Sequence, residues 1–191
     1  MKRLNDYINE KQINEAGLRD TLFGEIVMKL LNTGLDWIQK SASWVANSMK
    51  DSVSEAWKSA RMLPHAGWTK LSEERGGYNG PVPTNDKEFN KFIEWCLAPK
   101  DIKERVNRAK LFYSTFNGTK QDQVDNIYVN LIIMGVTPVI NDDKASNPDK
   151  EFAKKILKET KAKFGQTFDK AFEPWEKEYE EWKKKNGDDK K

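Results

Sequence analysis

From Phe152 to Trp182, large apolar side chains return at helical intervals. Phe152, Ile156, Phe164, Phe168, Phe172, Trp175, Tyr179 and Trp182 follow one another at spacings of three, four or eight. Residues so spaced share one side of an α-helix, and the Lys and Glu between them fill the other sides. The pattern predicts a long helix over residues 148–186, with a kink or restart at Pro174, which cannot donate a backbone hydrogen bond. A stripe of this length needs cover from the chain's own core or from a second protein. Phe164, Phe168, Phe172, Trp175, Tyr179 and Trp182 are therefore the candidate interface.

Upstream segments repeat the helical period. In residues 17–62, Leu18, Leu22, Ile26 and Leu30 form one stripe. After a possible break at Gly34, Trp37, Ile38, Trp44, Val45, Met49, Val53, Ala56 and Trp57 continue an apolar face. Ser41, Ala42, Ser48, Ser52 and Ala60 are small enough for a second helix to approach closely. Residues 63–85 carry Pro64, Gly67, Gly76-Gly77, Gly80-Pro81 and Pro83 and read as a linker.

Three shorter helices are expected between residues 85 and 134. Thr84 or Asn85 caps the first, whose face is Phe89, Phe92, Ile93 and Cys96, and Pro99 ends it. Asp101 caps the second, with Ile102, Val106, Ala109, Phe112, Tyr113 and Phe116 inward. The third carries Val124, Ile127, Tyr128, Leu131 and Ile132 and is expected to stop at Gly135. Residues 136–148 read as a loop. Pro148 suits a first helical turn, capped by Ser146 or Asn147. The fold class is all-α: an irregular helical bundle with long N-terminal and C-terminal helices, a helical domain over residues 86–186, and a flexible tail over residues 187–191.

Composition narrows the function. The 191 residues are 37% hydrophobic and 33% charged, which fits exposed helical faces around a thin core. Seven Trp, nine Phe and five Tyr argue against disorder. Net charge is +3, too small for strong binding to DNA by charge alone, so any DNA contact would be weak and non-specific. Glutamates among the lysines of the last helix would also repel a nucleic-acid backbone.

With one cysteine and one histidine, no intrachain disulfide and no Cys/His zinc site is possible. Cys96 lies in an apolar run and reads as a packed thiol. His65 lies in a turn sequence. Asn141-Asp142-Asp143 lacks the spacing and closing Glu of a calcium loop. Gly76-Gly77-Tyr78-Asn79-Gly80 lacks the Gly-Lys-Ser/Thr ending of a phosphate loop. Nucleophile-elbow and dinucleotide motifs are absent. No catalytic residues, metal or cofactor are expected, and the chain reads as non-enzymatic. No secretory signal begins it, and Ile127–Ile140, broken by Asn130, Gly135 and Pro138, falls short of the roughly 18 apolar residues of a membrane span.

Residues 1–16 form a leader. Leu4, Tyr7 and Ile8 sit at helical spacing among Lys2, Arg3, Asp6 and Glu10, and such a segment could anchor in a groove. Ile13, Asn14, Glu15 and Ala16 follow. This end resembles the site cut by prohead proteases of large contractile-tailed bacteriophages: Leu or Ile, any residue, Glu, then Ala, Gly or Ser. The leader is similar to the capsid-targeting leaders of packaged internal head proteins, which are often more basic than this chain. The resemblance covers residues 1–16 only. It implies a virion protein in or on the capsid, cut between Glu15 and Ala16, with other virion or host proteins as partners. A second expectation is an effector or inhibitor that binds a host protein through the aromatic stripe. A third is a weak nucleic-acid-binding protein. The expected setting is the virion or the host cytoplasm, with no membrane. Oligomeric state is left open.

Overall fold

A computed structural model describes residues 42–73, 78–140, 142 and 144–186. Among them are six helices and no strand: α1 (Ala42–Ala60), α2 (His65–Glu73), α3 (Asp86–Leu97), α4 (Ile102–Phe116), α5 (Gln121–Ile140) and α6 (Asn147–Asn186). The all-α class is as the periodicity implies. Leu4, Tyr7, Ile8, Ile13, Glu15 and Ala16 lie outside the described residues, as does the tail.

Local chemistry starts several of these helices where expected. Asn85 caps α3 by accepting from the Glu88 amide at 3.1 Å, while the Glu88 carboxylate accepts from the Thr84 amide and hydroxyl at 2.8 and 2.7 Å. Those donors hold the Glu88 carboxyl below its usual pKa. Asp101 caps α4 through the Lys103 amide. The Ser146 hydroxyl accepts from the Asp149 amide at the start of α6. Each cap satisfies an amide that the first helical turn leaves without a partner.

Helix α5 is the axis of the bundle, with α1, α3, α4 and α6 packed on it. It is buried without interruption from Ile127 to Val139. The expected stop at Gly135 does not occur, and the helix runs through Pro138 to Ile140. The Pro138 ring removes the helical partner of the Met134 carbonyl. Next to it, the carbonyl of Gly135 accepts from Arg105 Nη1 at 3.0 Å. A side-chain donor from α4 thus reaches the backbone one residue from the carbonyl that Pro138 leaves, and packing on all sides outweighs the local stop signals. By length and composition α5 could cross a membrane, contrary to the reading of Ile127–Ile140 as too broken, yet 78% of its apolar window is buried in the bundle. That burial accounts for its composition without a bilayer.

The Pro/Gly-rich stretch over residues 63–85 is also more structured than its composition suggests. It contains α2, because Trp68 and Leu71 are fully buried. The Trp68 indole meets Phe92, Phe112 and Phe116 at ring distances of 5.0, 5.7 and 4.9 Å. Gly67 permits the approach: a methyl group there would drive into the Phe116 ring. Tertiary contact overrides local propensity here.

Candidate functional site

Helix α6 consists of two arms joined at Gly165, whose φ of 44° and ψ of −113° are not helical. Positive φ with this ψ is open to glycine and costly for residues carrying a Cβ. The expected kink at Pro174 is therefore displaced: the bend is at Gly165, and the helix continues through Pro174. Lys170, whose carbonyl loses its partner to Pro174, is exposed, so water can serve it.

The bend sends the arms to different neighbours. On the first arm, Phe164 packs against Tyr113 of α4 and Tyr128 of α5 at 5.8 and 5.4 Å. Burial of Tyr128 pushes its phenol up to about 12, with Tyr113 and Glu159 adding to the shift. On the second arm, Trp175 turns to α1. Its indole is 1% exposed and Nε1 donates to Ser52 Oγ at 2.8 Å. One turn earlier on α1, the Ser48 hydroxyl donates to the Pro174 carbonyl at 3.4 Å. Ser48 and Ser52 were legible as small residues; they also act as hydrogen-bond partners.

The described part of the aromatic stripe is therefore mostly internal, covered in large part by the chain's own core. Phe168 is 3% exposed and stacks on Phe172 at 5.2 Å. Phe164, Phe172 and Tyr179 are half-buried and packed against the core. The side chain of Trp182 lies outside the described residues. Burying rings of this size stabilises the fold by about 1.5–3 kcal/mol each. A surface that spent Trp175 on a partner would have to give up that contribution.

What the bend leaves open is a trough in its elbow. Leu157, Phe168 and Phe172 make its apolar floor. Exposed Lys158 and Lys161 stand on the first arm, and exposed Glu173 and Glu176 on the second. Lys161 Nζ reaches Asp169 at 2.9 Å across the bend. A straight helix would hold residues eight apart about 12 Å from each other along its axis. No motif marks this trough; an isolated glycine within a helical pattern was its only trace in the sequence.

A second cleft lies where α4 begins and α5 ends, and its chemistry is structural. Arg105 is 3% exposed there. Its guanidinium donates to the carbonyls of Pro99 (2.6 Å), Gly135 (3.0 Å) and Lys100 (3.4 Å). Desolvation draws Arg105 down to about 10, partly opposed by Asp101. Asp142 nearby caps its own turn through the Lys144 amide. Among the described residues no group of three His, Cys, Asp or Glu side chains could hold a metal ion. Cys96 is buried, and burial pushes its thiol well above the usual range, which suppresses the reactive thiolate. His65 is exposed on α2, with Nδ1 3.3 Å from the Thr69 hydroxyl. No protein-family model, curated protein or solved structure matches the chain.

Proposed function

We propose that this protein is a non-enzymatic component of a contractile-tailed phage particle, packaged in or attached to the head and trimmed after Glu15. The observation that carries the reading is Ile13-Asn14-Glu15-Ala16 at the close of an amphipathic opening segment. Leu4, Tyr7 and Ile8 are its groove-binding anchors. A protease cleft takes extended backbone, and the small Ala16 fits beyond the cut. A helical bundle with its aromatic rings turned inward suits cargo. The test is mass spectrometry of the protein from mature particles. A mature N-terminus at Ala16 is expected. Intact Met1 in every copy would overturn processing, and presence only in infected cytoplasm would overturn the virion assignment.

The trough favours a second reading, an effector that grips a helix of a host protein. Its contact residues are Leu157 and Phe172, in place of the buried Trp175. Pull-down with Leu157→Ala/Phe172→Ala is the discriminating experiment. Unchanged partner recovery by a folded variant counts against it.

A further inference from the structure

The geometry points to Gly165 as a hinge through which two copies of this chain exchange the second arm of α6. In the exchanged dimer each α6 is one continuous helix. Its second arm lies on α1 of the other copy, with Trp175 bonded to Ser52 across the subunit boundary.

The hinge itself is the first observation. Within α6, Gly165 alone has non-helical φ and ψ. No other glycine and no proline lies between Lys158 and Phe172, so nothing else in that stretch resists a helix. Rotation at a single residue therefore turns two arms into one rod. Its 40 residues would measure about 60 Å, of which residues 166–186 supply about 31 Å. That arm would project well beyond a body whose radius of gyration is about 16 Å.

The second observation is what the arm carries. Phe168 and Trp175 are buried. The Pro174 carbonyl and the Trp175 indole are bonded to Ser48 and Ser52 of α1. A straightened arm on a lone copy would strip both rings of cover, at a large hydrophobic cost. A second copy with its own arm extended offers the same two serines in the same seat. Occupant and seat are both visible in the closed chain, and this selects another copy over a foreign protein.

The third observation is the crossing. Two straight helices related by a two-fold axis at Gly165 run antiparallel there. A residue four before the hinge then faces the residue four after it on the other copy. Those residues are Lys161 and Asp169, the pair that meets at 2.9 Å across the bend. Exchange re-forms that pair twice, between copies. By the same rule Lys158, Glu159, Lys163 and Lys170 all fall opposite uncharged residues, so no like charges meet within about two turns of the hinge.

The exchange does not depend on the virion reading. Closed and exchanged forms make the same contacts, so hinge conformation and concentration decide between them. Closure within one chain acts as an effective concentration on the order of millimolar. The chain is therefore a monomer when dilute.

Light scattering of the full chain, refolded at increasing concentration, tests the exchange. Wild type should pass from monomer to dimer near millimolar concentration. Gly165→Ala disfavours the bend and favours the straight helix at both hinges, so its crossover should fall at least about tenfold. Inserting Gly-Ser-Gly-Ser after Gly165 lets the arm fold back freely and should keep the protein monomeric. Spin labels on Lys154→Cys and Lys177→Cys, both exposed, report the arm directly, while buried Cys96 is spared. In dimers formed with excess unlabelled chain, the labels should lie about 35 Å apart along one straight helix, and markedly closer in the monomer. A dimer whose labels keep the monomer distance is an ordinary association and overturns the proposal. A wild type that stays monomeric at millimolar concentration overturns it too, as does a folded Gly165→Ala chain with an unshifted crossover. Should Gly165→Ala fail to fold, the label distance in the wild-type dimer decides alone.

Discussion

Trp175 Nε1 donates to Ser52 Oγ at 2.8 Å inside the core, joining residues 123 positions apart. An indole N–H buried to this degree needs an acceptor. Ser52→Ala removes this acceptor and should cost about 1–3 kcal/mol in denaturant unfolding followed by far-ultraviolet circular dichroism. Trp175→Phe removes the donor itself, so the double variant should lose less than the sum of the two single losses. Strict additivity would show that the bond contributes nothing of its own.

At Gly165 the backbone makes the demand. Gly165→Ala forces a Cβ into φ 44°, ψ −113°, and should destabilise by about 1–3 kcal/mol although the position is sterically open. Pro174→Ala should leave the unfolding midpoint unchanged or raise it, because the helix already continues there and gains a donor. No loss on Gly165→Ala would contradict the bend at Gly165.

Arg105 tests a different kind of contact. A lysine cannot reproduce the fork that serves Pro99, Lys100 and Gly135, so Arg105→Lys should cost about 2–4 kcal/mol. Arg105→Met removes the buried charge along with the donors and should cost no more than the lysine variant. Thermal melts of the pair decide the ranking, and a milder lysine variant would contradict it.

The alkaline limb of the stability curve follows from Tyr128. Its folded-state value is about 12 against an ordinary 10, so the folded protein holds the phenolic proton more tightly. The stabilisation is complete below pH 10 and is lost as pH rises from about 10 to 12, because the unfolded chain ionises first. Tyrosinate absorbance should show late-titrating phenols, because burial also raises Tyr78 and Tyr113, and Tyr128→Phe should remove one phenol's share of that late absorbance. A titration unchanged by the substitution would refute the assignment.

Helix faces were legible because their period and their caps are local. Asn85, Asp101 and Ser146 sit where hydrogen-bonding side chains start helices, and Phe89, Phe92, Ile93 and Cys96 are buried together as their spacing requires. The errors lie where distant groups decide. Gly135 and Pro138 resemble a helix end until α4 supplies Arg105. The stretch around Trp68 resembles a linker until Phe92, Phe112 and Phe116 surround it. The stripe on α6 was visible as a stripe, but its direction depends on Ser48 and Ser52, more than 120 residues away. The trough left only the isolated Gly165 as a trace, since it exists only because Gly165 bends the helix.

The partnership of Ser52 with Trp175 also orders events during synthesis. The amino-terminal half of this contact leaves the ribosome first. At about 5–20 residues per second, the intervening 123 residues take roughly 6–25 seconds to follow. Throughout that interval Ser52 is without the Trp175 indole. Premature termination before Gly165 would release a chain that lacks the contacts of Ser48 and Ser52 with Pro174 and Trp175.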